Sequence, residues 1–314
     1  MARYVLSRTG QALLVLWAAF TISFVLLQAM PGDAVLIKFQ NPEYGLGPEQ
    51  LADIRAAYAA DGSLASQYLQ TIGNFLTGNF GYSLQRGVAV SAQLAVNLPS
   101  TIQLAGLGFA TALILAVILA IFCNIPGLGR LRSFIHSIPS LFVSVPTFWL
   151  GIMLIQIFSF RLKLVPVINP GPWEGLILPV LTVAVPISAP MAQLLLRNVD
   201  EVLTRPFVAV VRAKGASHYW VLWRHVARNA SLPVLTVAGV LFGELLAGAV
   251  VTEAVFGLNG IGGLAEQAVT SQDVAVLQAI VVISAATFVA INLAIDLLYP
   301  VLDPRLKTKL GTAT

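Results

Sequence analysis

Long runs of uncharged, mostly apolar residues recur along the chain, separated by shorter segments that hold the charges. Uncharged runs occupy residues 9–32, 87–129, 133–160, 175–196 and 274–295, and the apolar run at 233–256 is interrupted only by Glu244 and Glu253. A helix that crosses a bilayer needs about 20 predominantly apolar residues. The pattern therefore predicts six membrane-spanning helices, near residues 10–29, 101–123, 139–160, 176–196, 233–255 and 276–299.

The composition supports this prediction and excludes an ordinary soluble protein. Hydrophobic residues make up 57% of the chain and charged residues 10%, with a mean hydropathy of +0.84, whereas soluble domains carry about 25% charged residues. We expect the spans to be helices, because lipid offers no partner to unpaired backbone groups. A transmembrane β-barrel would instead show short segments of alternating hydrophobicity.

The distribution of lysine and arginine predicts how the chain is oriented. With the N-terminus inside, thirteen of the eighteen basic residues fall in the inner segments, as the positive-inside rule requires. Both termini are therefore predicted to be cytoplasmic. The same bias accounts for the net charge of +4 without a nucleic-acid partner.

Membrane position divides the chain into three parts. Residues 1–30 are predicted to form a first helix that is retained, because no small-residue cleavage site follows it. Residues 31–100 are predicted to form an outer segment with short interfacial helices, and residues 101–314 a membrane core that contains an inner loop at 197–232. One predicted face of the outer segment is apolar at helical spacing; it comprises Leu64, Tyr68, Ile72, Phe75 and Leu76. The single cysteine, Cys123, is predicted to be a small apolar residue within a span.

Three residues within the predicted spans are candidates for a pathway or gate: Glu244, Pro146 and Pro186. An intramembrane carboxylate usually faces the interior of a bundle or water, so Glu244 either lines a route or forms a hydrogen bond at a helix contact. Prolines kink membrane helices and leave backbone carbonyl groups without a partner. The bent helices either line a pathway or merely pack irregularly. The spacing of Gly239 and Gly243 predicts close approach of a neighbouring helix.

The inner loop between spans four and five is predicted to be two short helices. Thr204 is expected to cap the first helix, with Pro206 in its first turn, and Gly215 to end it in a left-handed conformation. Ser217 is expected to cap a second helix that ends before Leu232-Pro233. A basic pair of short helices at the membrane surface has two possible roles. It binds anionic lipid headgroups, or it docks as a ridge in a groove of another protein. His225 is expected to be a surface residue.

This loop resembles the cytoplasmic EAA loop of permeases of binding-protein-dependent ABC importers, in particular the dipeptide/oligopeptide branch. The chain has FVAVVRAKGAS and RHVARNASLPVL where that branch has sequences such as YVRTARAKGLS and RHALRNALLPVL. The resemblance continues in order through LLQAMPGD, GNFGYSLQRGVAV, NLPSTIQL, PTFWLGI, GAVVTEAVFGLNGIGGL and INLAIDLLYPVLDPRL. The chain departs from the pattern at Ala209, Val210 and Val211, which replace the acidic EAA triplet, and at Asn259, where many members have proline.

The resemblance implies an all-α integral membrane protein with six transmembrane helices of the type I ABC importer permease architecture. It implies a multi-pass protein of the bacterial inner membrane that forms half of a translocation pathway for di- or oligopeptides; nickel, glutathione or a sugar are alternative cargoes. Contact with the ATPase is assigned to one run of residues, namely Phe207, Val210, Val211, Arg212, Ala213, Lys214, Gly215, Ala216 and Ser217.

The implied complex contains a second permease subunit, expected to be a different chain, two cytoplasmic ATP-binding subunits and an extracytoplasmic substrate-binding protein. ATP and magnesium are expected on the ATPase subunits, since the sequence has no phosphate-binding G-x-x-x-x-G-K-[ST] motif. No cofactor, metal site or catalytic residue is expected in the chain, which is predicted not to be an enzyme.

Two other classes compete with this interpretation. A stand-alone secondary transporter or channel would have paired intramembrane charges and often inverted repeats, but Glu244 is the single strong candidate charge. A membrane-embedded protease would need a nucleophile with a partner inside the spans. The residue pattern therefore favours the importer permease.

Overall fold

The computed structural model describes residues 2–28, 63–83, 85–168 and 170–302, and helices account for most of these ranges. The chain-order helices are α1 (Ala2–Gln28), α2 (Leu64–Leu76), α3 (Val90–Cys123), α4 (Arg130–Ser144), α5 (Thr147–Leu154), α6 (Glu174–Leu203), α7 (Pro206–Ala213), α8 (His218–Val221), α9 (Ala227–Phe256), α10 (Ile261–Thr270) and α11 (Val274–Leu302). A π-helical turn at Ile155–Arg161 extends α5, and another at Leu222–Val226 joins α8 to α9.

Four of these helices, α1, α3, α6 and α11, are long and apolar enough to cross a membrane. They coincide with predicted spans one, two, four and six. Counting each of three bent helix pairs as one further span raises the number to seven, so the number of six stays a prediction. The all-helical membrane class is confirmed, while the cytoplasmic placement of both termini stays a prediction.

Predicted span three is not one straight helix. Helices α4 and α5 meet at an angle of 105°, where Val145 is extended (φ −90°, ψ 119°) and Pro146 is the N-cap of α5. Proline disfavours the helical conformation of the residue before it and has no N–H to donate. The local chemistry of Val145-Pro146 therefore ends α4 within an apolar run that composition alone cannot divide.

The chain packs into two compact units, one of residues 1–10, 101–258 and 290–314 and the other of residues 11–100 and 259–289. The boundaries predicted at residues 30 and 100 follow membrane position rather than packing and stay a prediction. Residues 31–62 of the predicted outer segment lie outside the described residues.

Helix α6 is the centre of the first unit. Its apolar side chains pack against α3 and α9 in two buried clusters, and about half of its residues are buried. Close approach depends on glycine at particular points: a Cβ at Gly108 would lie 2.5 Å from Val183 Cγ2, and one at Gly239 would lie 2.5 Å from Asn292 Oδ1. The prediction that a neighbouring helix approaches Gly239 closely is thereby confirmed.

The second unit contains the outer-segment helix α2. Tyr68 and Phe75 pack edge to face against Phe20 of α1, with ring centroids 5.6 and 5.4 Å apart, while Leu64 and Leu76 are exposed. Part of the predicted apolar face thus packs on the protein itself.

In the loop before α3, Ser83 donates a hydrogen bond to the buried Asp273, whose other oxygen accepts from the Val276 amide at 3.4 Å.

Candidate functional site

The predicted inner loop forms a tight helix–turn–helix between α6 and α9. Pro206 is the first residue of α7, as predicted, because its missing N–H has no partner at that position. The prediction that Thr204 caps α7 is wrong: Arg205 is the N-cap residue, with extended backbone. Thr204 ends α6 instead, where its Oγ1 donates to the Glu201 carbonyl at 2.7 Å.

The turn after α7 has the geometry of a Schellman motif. Gly215 has a φ of +83°, in the left-handed region that glycine adopts without a steric penalty. The Gly215 amide donates to the Arg212 carbonyl at 2.9 Å and the Ala216 amide to the Val211 carbonyl at 3.4 Å, which are the two bonds of that motif. The predicted role of Gly215 is therefore confirmed, and this turn depends on residue 215 for its shape.

The second helix of the loop begins as predicted, and at its predicted end the helix bends instead of giving way to a loop. Ser217 caps it, since its Oγ accepts a hydrogen bond from the Trp220 amide at 3.3 Å. The backbone stays helical through the predicted end before Leu232-Pro233. The helix axis nevertheless turns by 51° at that point, between His218–Ser231 and Pro233–Leu246, as expected where a proline interrupts the hydrogen-bond ladder. The turn at Gly215 is thus joined to α9 without an intervening loop.

Most of the residues that the resemblance assigns to ATPase contact lie on the surface of this element. Phe207 and Val210 are 37% and 55% exposed, and Arg212, Ala213, Lys214, Gly215 and Ser217 are exposed as well. Val211 and Ala216 instead pack against the buried cluster of α3, α6 and α9. The exposed side chains form a ridge with apolar and basic members, which we call the α7 ridge.

Buried residues between the exposed ones anchor the α7 ridge. Val208, Val221 and Val226 are fully buried in the same cluster, and the Asn198 side chain of α6 donates to the Ala230 carbonyl of α9 at 3.1 Å. His218 Nε2 lies 3.0 Å from the Asn124 carbonyl, just past the end of α3. The apolar residues of α7 recur at helical spacing, which is consistent with the burial of Val208. The sequence did not show which side of so short a helix is buried.

His225 is not the surface residue that the sequence predicts. Its ring is partly buried between Phe207 and Trp220, with centroids 6.4 and 4.9 Å away. Its Nε2 atom is buried, and among the described residues it has no hydrogen-bond partner. This imidazole packs the first helix of the loop against the second, so it serves the structure of the turn.

The three pathway candidates occupy different environments. Glu244 is exposed on the surface of the chain, Pro146 is exposed at the α4–α5 bend, and Pro186 is partly buried within α6. A carboxylate exposed at mid-span requires water or another subunit beside it. A role for these residues in a pathway or gate stays a prediction.

The sequence did not single out the buried carboxylate of this unit, Glu253. It is 1% exposed, and one of its oxygens accepts a hydrogen bond from Thr101 Oγ1 of α3 at 2.5 Å. Over the residue ranges that the structure describes, no three His, Cys, Asp or Glu side chains are close enough to hold a metal ion.

Comparison with known proteins places these features in a family context. Residues 116–308 match the family model described as binding-protein-dependent transport system inner membrane component. A probable peptide ABC transporter permease of Sinorhizobium fredii is 33% identical, and the match covers 98% of this chain and 100% of the relative. The dipeptide transport system permease of Lactococcus lactis is 30% identical and the glutathione transport system permease of Escherichia coli 31% identical, each over 98% of this chain and 100% of the relative.

A solved structure has the same fold. A chain of the MetNI methionine ABC transporter, in an inward-facing conformation, superposes with a TM-score of 0.56 at 16% identity. The match covers 67% of this chain and 96% of that one. At this identity the likeness concerns the fold.

Proposed function

The chain belongs to the family of inner membrane components of binding-protein-dependent transport systems, and from this we propose that it is the half of an ATP-driven peptide importer that receives force through the α7 ridge. The permease character of the chain follows from its family and from relatives matched over nearly their whole length.

The observation that carries the proposal is the pair of exposed apolar side chains, Phe207 and Val210, on a rigidly held helix. These two side chains and the exposed Arg212 and Lys214 belong to the same short helix and its cap, so the ridge offers a partner both apolar and charged contacts. The helix is short, and its turn is fixed by Gly215 and by the buried Val208. Such a ridge suits insertion into a groove of an ATPase subunit.

The continuity of α8 with α9 supplies a route for the motion. Because the π-helical turn leads from α8 into α9 without a loop, a displacement of the α7 ridge is passed directly to the predicted fifth span. That span packs closely on α6 through the buried clusters. ATP drives such a cycle because it binds one arrangement of the two ATPase subunits better than the other.

We infer that two permease subunits, of which this chain is one and a related chain the other, stand on two ATPase subunits that hold ATP and magnesium. A substrate-binding protein delivers the cargo on the outer side of the bacterial inner membrane. The binding protein in this composition is supported by the family description, which names transport systems that depend on one.

Short peptides are the cargo class that the relatives support. The names of the similar permeases specify peptide, dipeptide and glutathione transport, and these molecules share amide-linked backbones with free carboxylates. We therefore propose a short peptide as the transported substrate.

The ridge is tested by measuring equilibrium binding of the purified ATPase subunits to the permease pair in nanodiscs. We expect Val210→Asp to weaken binding roughly 5- to 150-fold, because an unsatisfied buried polar group costs about 1–3 kcal/mol and 1.4 kcal/mol is a factor of ten. Leu131→Asp is the matched control, since Leu131 is 52% exposed on α4 in another predicted inner segment. Equal binding by wild type and Val210→Asp would show that the α7 ridge is not part of the interface with the ATPase.

A further inference from the structure

An apolar cleft lies beside the α8–α9 junction, at the end of the spans that is predicted to face the cytoplasm. Its volume is about 310 Å³. Three segments form its walls: the end of α3, the inner half of α6, and the stretch that runs from α8 through the π-helical turn into the start of α9. Val117, Ile121, Leu195, Val199, Leu222 and Val226 supply most of the apolar lining.

The mouth of the cleft is aromatic and basic. Tyr219 and Trp223 line it while remaining 54% and 63% exposed. Arg228 belongs to the same lining, and Arg224 lies beside Tyr219 and Trp223 on the adjoining surface. Both arginines are exposed, and the lining contains no acidic residue.

The size of the cleft restricts what fills it. The space is about 310 Å³ and its lining is mostly aliphatic and aromatic. A lining of this kind suits a hydrocarbon group better than a polar one. An unbranched hydrocarbon chain is narrow enough to enter.

The position of the polar groups identifies the other end of the ligand. Tryptophan and tyrosine favour the level of the lipid headgroups, where an apolar ring and a polar edge are both satisfied. Basic pockets between spans on the cytoplasmic side bind acidic lipid headgroups. The apolar lining and the arginines would thus contact one molecule at the depths where a phospholipid presents its acyl chain and its phosphate.

We propose that this cleft binds one acyl chain of an anionic glycerophospholipid, whose headgroup phosphate lies against Arg228 and Arg224. The bound lipid contacts the π-helical turn that joins the α7 ridge to α9, together with α3 and α6. It thereby becomes part of the packing around the segment that transmits motion. The inference concerns the permease alone and does not depend on what the transporter carries.

The experiment measures lipid retention without ATP or peptide. The complete transporter, purified in detergent, is titrated with phosphatidylglycerol and separately with phosphatidylcholine of the same chain length, and bound lipid is counted by native mass spectrometry. We expect phosphatidylglycerol to bind more tightly. Arg228→Gln should weaken its binding roughly fivefold, because a basic residue near an anionic lipid contributes about 1 kcal/mol.

Two pairs of variants separate this site from general lipid adsorption. Val117→Phe, which fills the cleft, should abolish the tightly held lipid, whereas Ile118→Phe on a neighbouring face of α3 should retain it. Arg130→Gln removes an exposed arginine outside the lining and should bind lipid as wild type does. Size-exclusion chromatography of each variant checks that the complex is assembled.

The proposal is overturned if the two lipids bind equally, or if Arg228→Gln and Val117→Phe retain phosphatidylglycerol like wild type. It is also overturned if the isolated permease holds the lipid but the complete transporter does not, since a partner subunit would then cover the cleft. Loss of lipid in Val117→Phe with normal retention in Ile118→Phe supports it.

Discussion

At the scale of single residues, the two glutamates of α9 show what a sequence does and does not determine. Glu244 lies nearer the middle of the predicted span, yet it is exposed, whereas Glu253 is buried against Thr101. They are nine positions apart, which at about 100° per residue places them on opposite sides of the helix. Hydropathy gives the depth of each carboxylate but not the direction in which it points.

Removing these two carboxylates should have unequal effects on stability. Glu253→Ala should lower the free energy of unfolding by about 1–3 kcal/mol, because Thr101 loses a buried partner. Glu244→Ala should change it by less than about 0.5 kcal/mol, as for most surface substitutions. The buried Cys123 is the chain's single cysteine, so a thiol-reactive dye reports thermal unfolding directly. Equal stabilities of the two variants would contradict the assignment of Glu253 as the structural carboxylate.

At the scale of the elements, the sequence predicted which segments are helices and which residues turn the chain. Long apolar runs gave α1, α3, α6 and α11, and Pro206, Gly215 and Ser217 take the roles expected of their chemistry. It failed where tertiary packing overrides local preference: α3 begins at Val90 and continues through Pro99. At Pro233 the backbone also stays helical, but with a bend of 51°. A proline inside a helix costs one hydrogen bond, which packing on neighbouring helices offsets.

The contact between α3 and α6 should depend on Gly108. Gly108→Ala places a Cβ 2.5 Å from Val183 Cγ2, and a β-branched side chain in a helix has little freedom to rotate away. We expect a loss of about 1–3 kcal/mol in the free energy of unfolding. Gly106→Ala is the matched control, since a Cβ there meets nothing within 4 Å and alanine favours helix. The same thiol-dye assay compares them, and equally stable variants would show that α3 and α6 are not closely packed at this point.

At the scale of the whole molecule, the sequence predicted an all-helical membrane permease, and the family match and the fold agree. It did not predict the sharp bend at Val145-Pro146, because the hydrophobicity of a segment does not indicate the direction in which its helix runs. Nor did it predict the cleft beside the π-helical turn, since that space is formed by three segments far apart in sequence. The residue types at and beside Gly215 determine the turn that we assign to coupling. The packing around that turn depends on how the helices assemble, which the sequence pattern does not show.

The most direct test of the account is peptide-stimulated ATP hydrolysis by the reconstituted transporter carrying Gly215→Pro. Proline cannot adopt the φ of +83° found at Gly215 and removes the amide that bonds Arg212, so we expect stimulation to be lost while basal hydrolysis continues. Gly127→Pro is the control, because Gly127 has a similar φ of +88° in the segment between α3 and α4, and it should retain stimulation. Full stimulation in Gly215→Pro, or peptide uptake by the permease pair with no ATPase present, would contradict the coupling role of this turn.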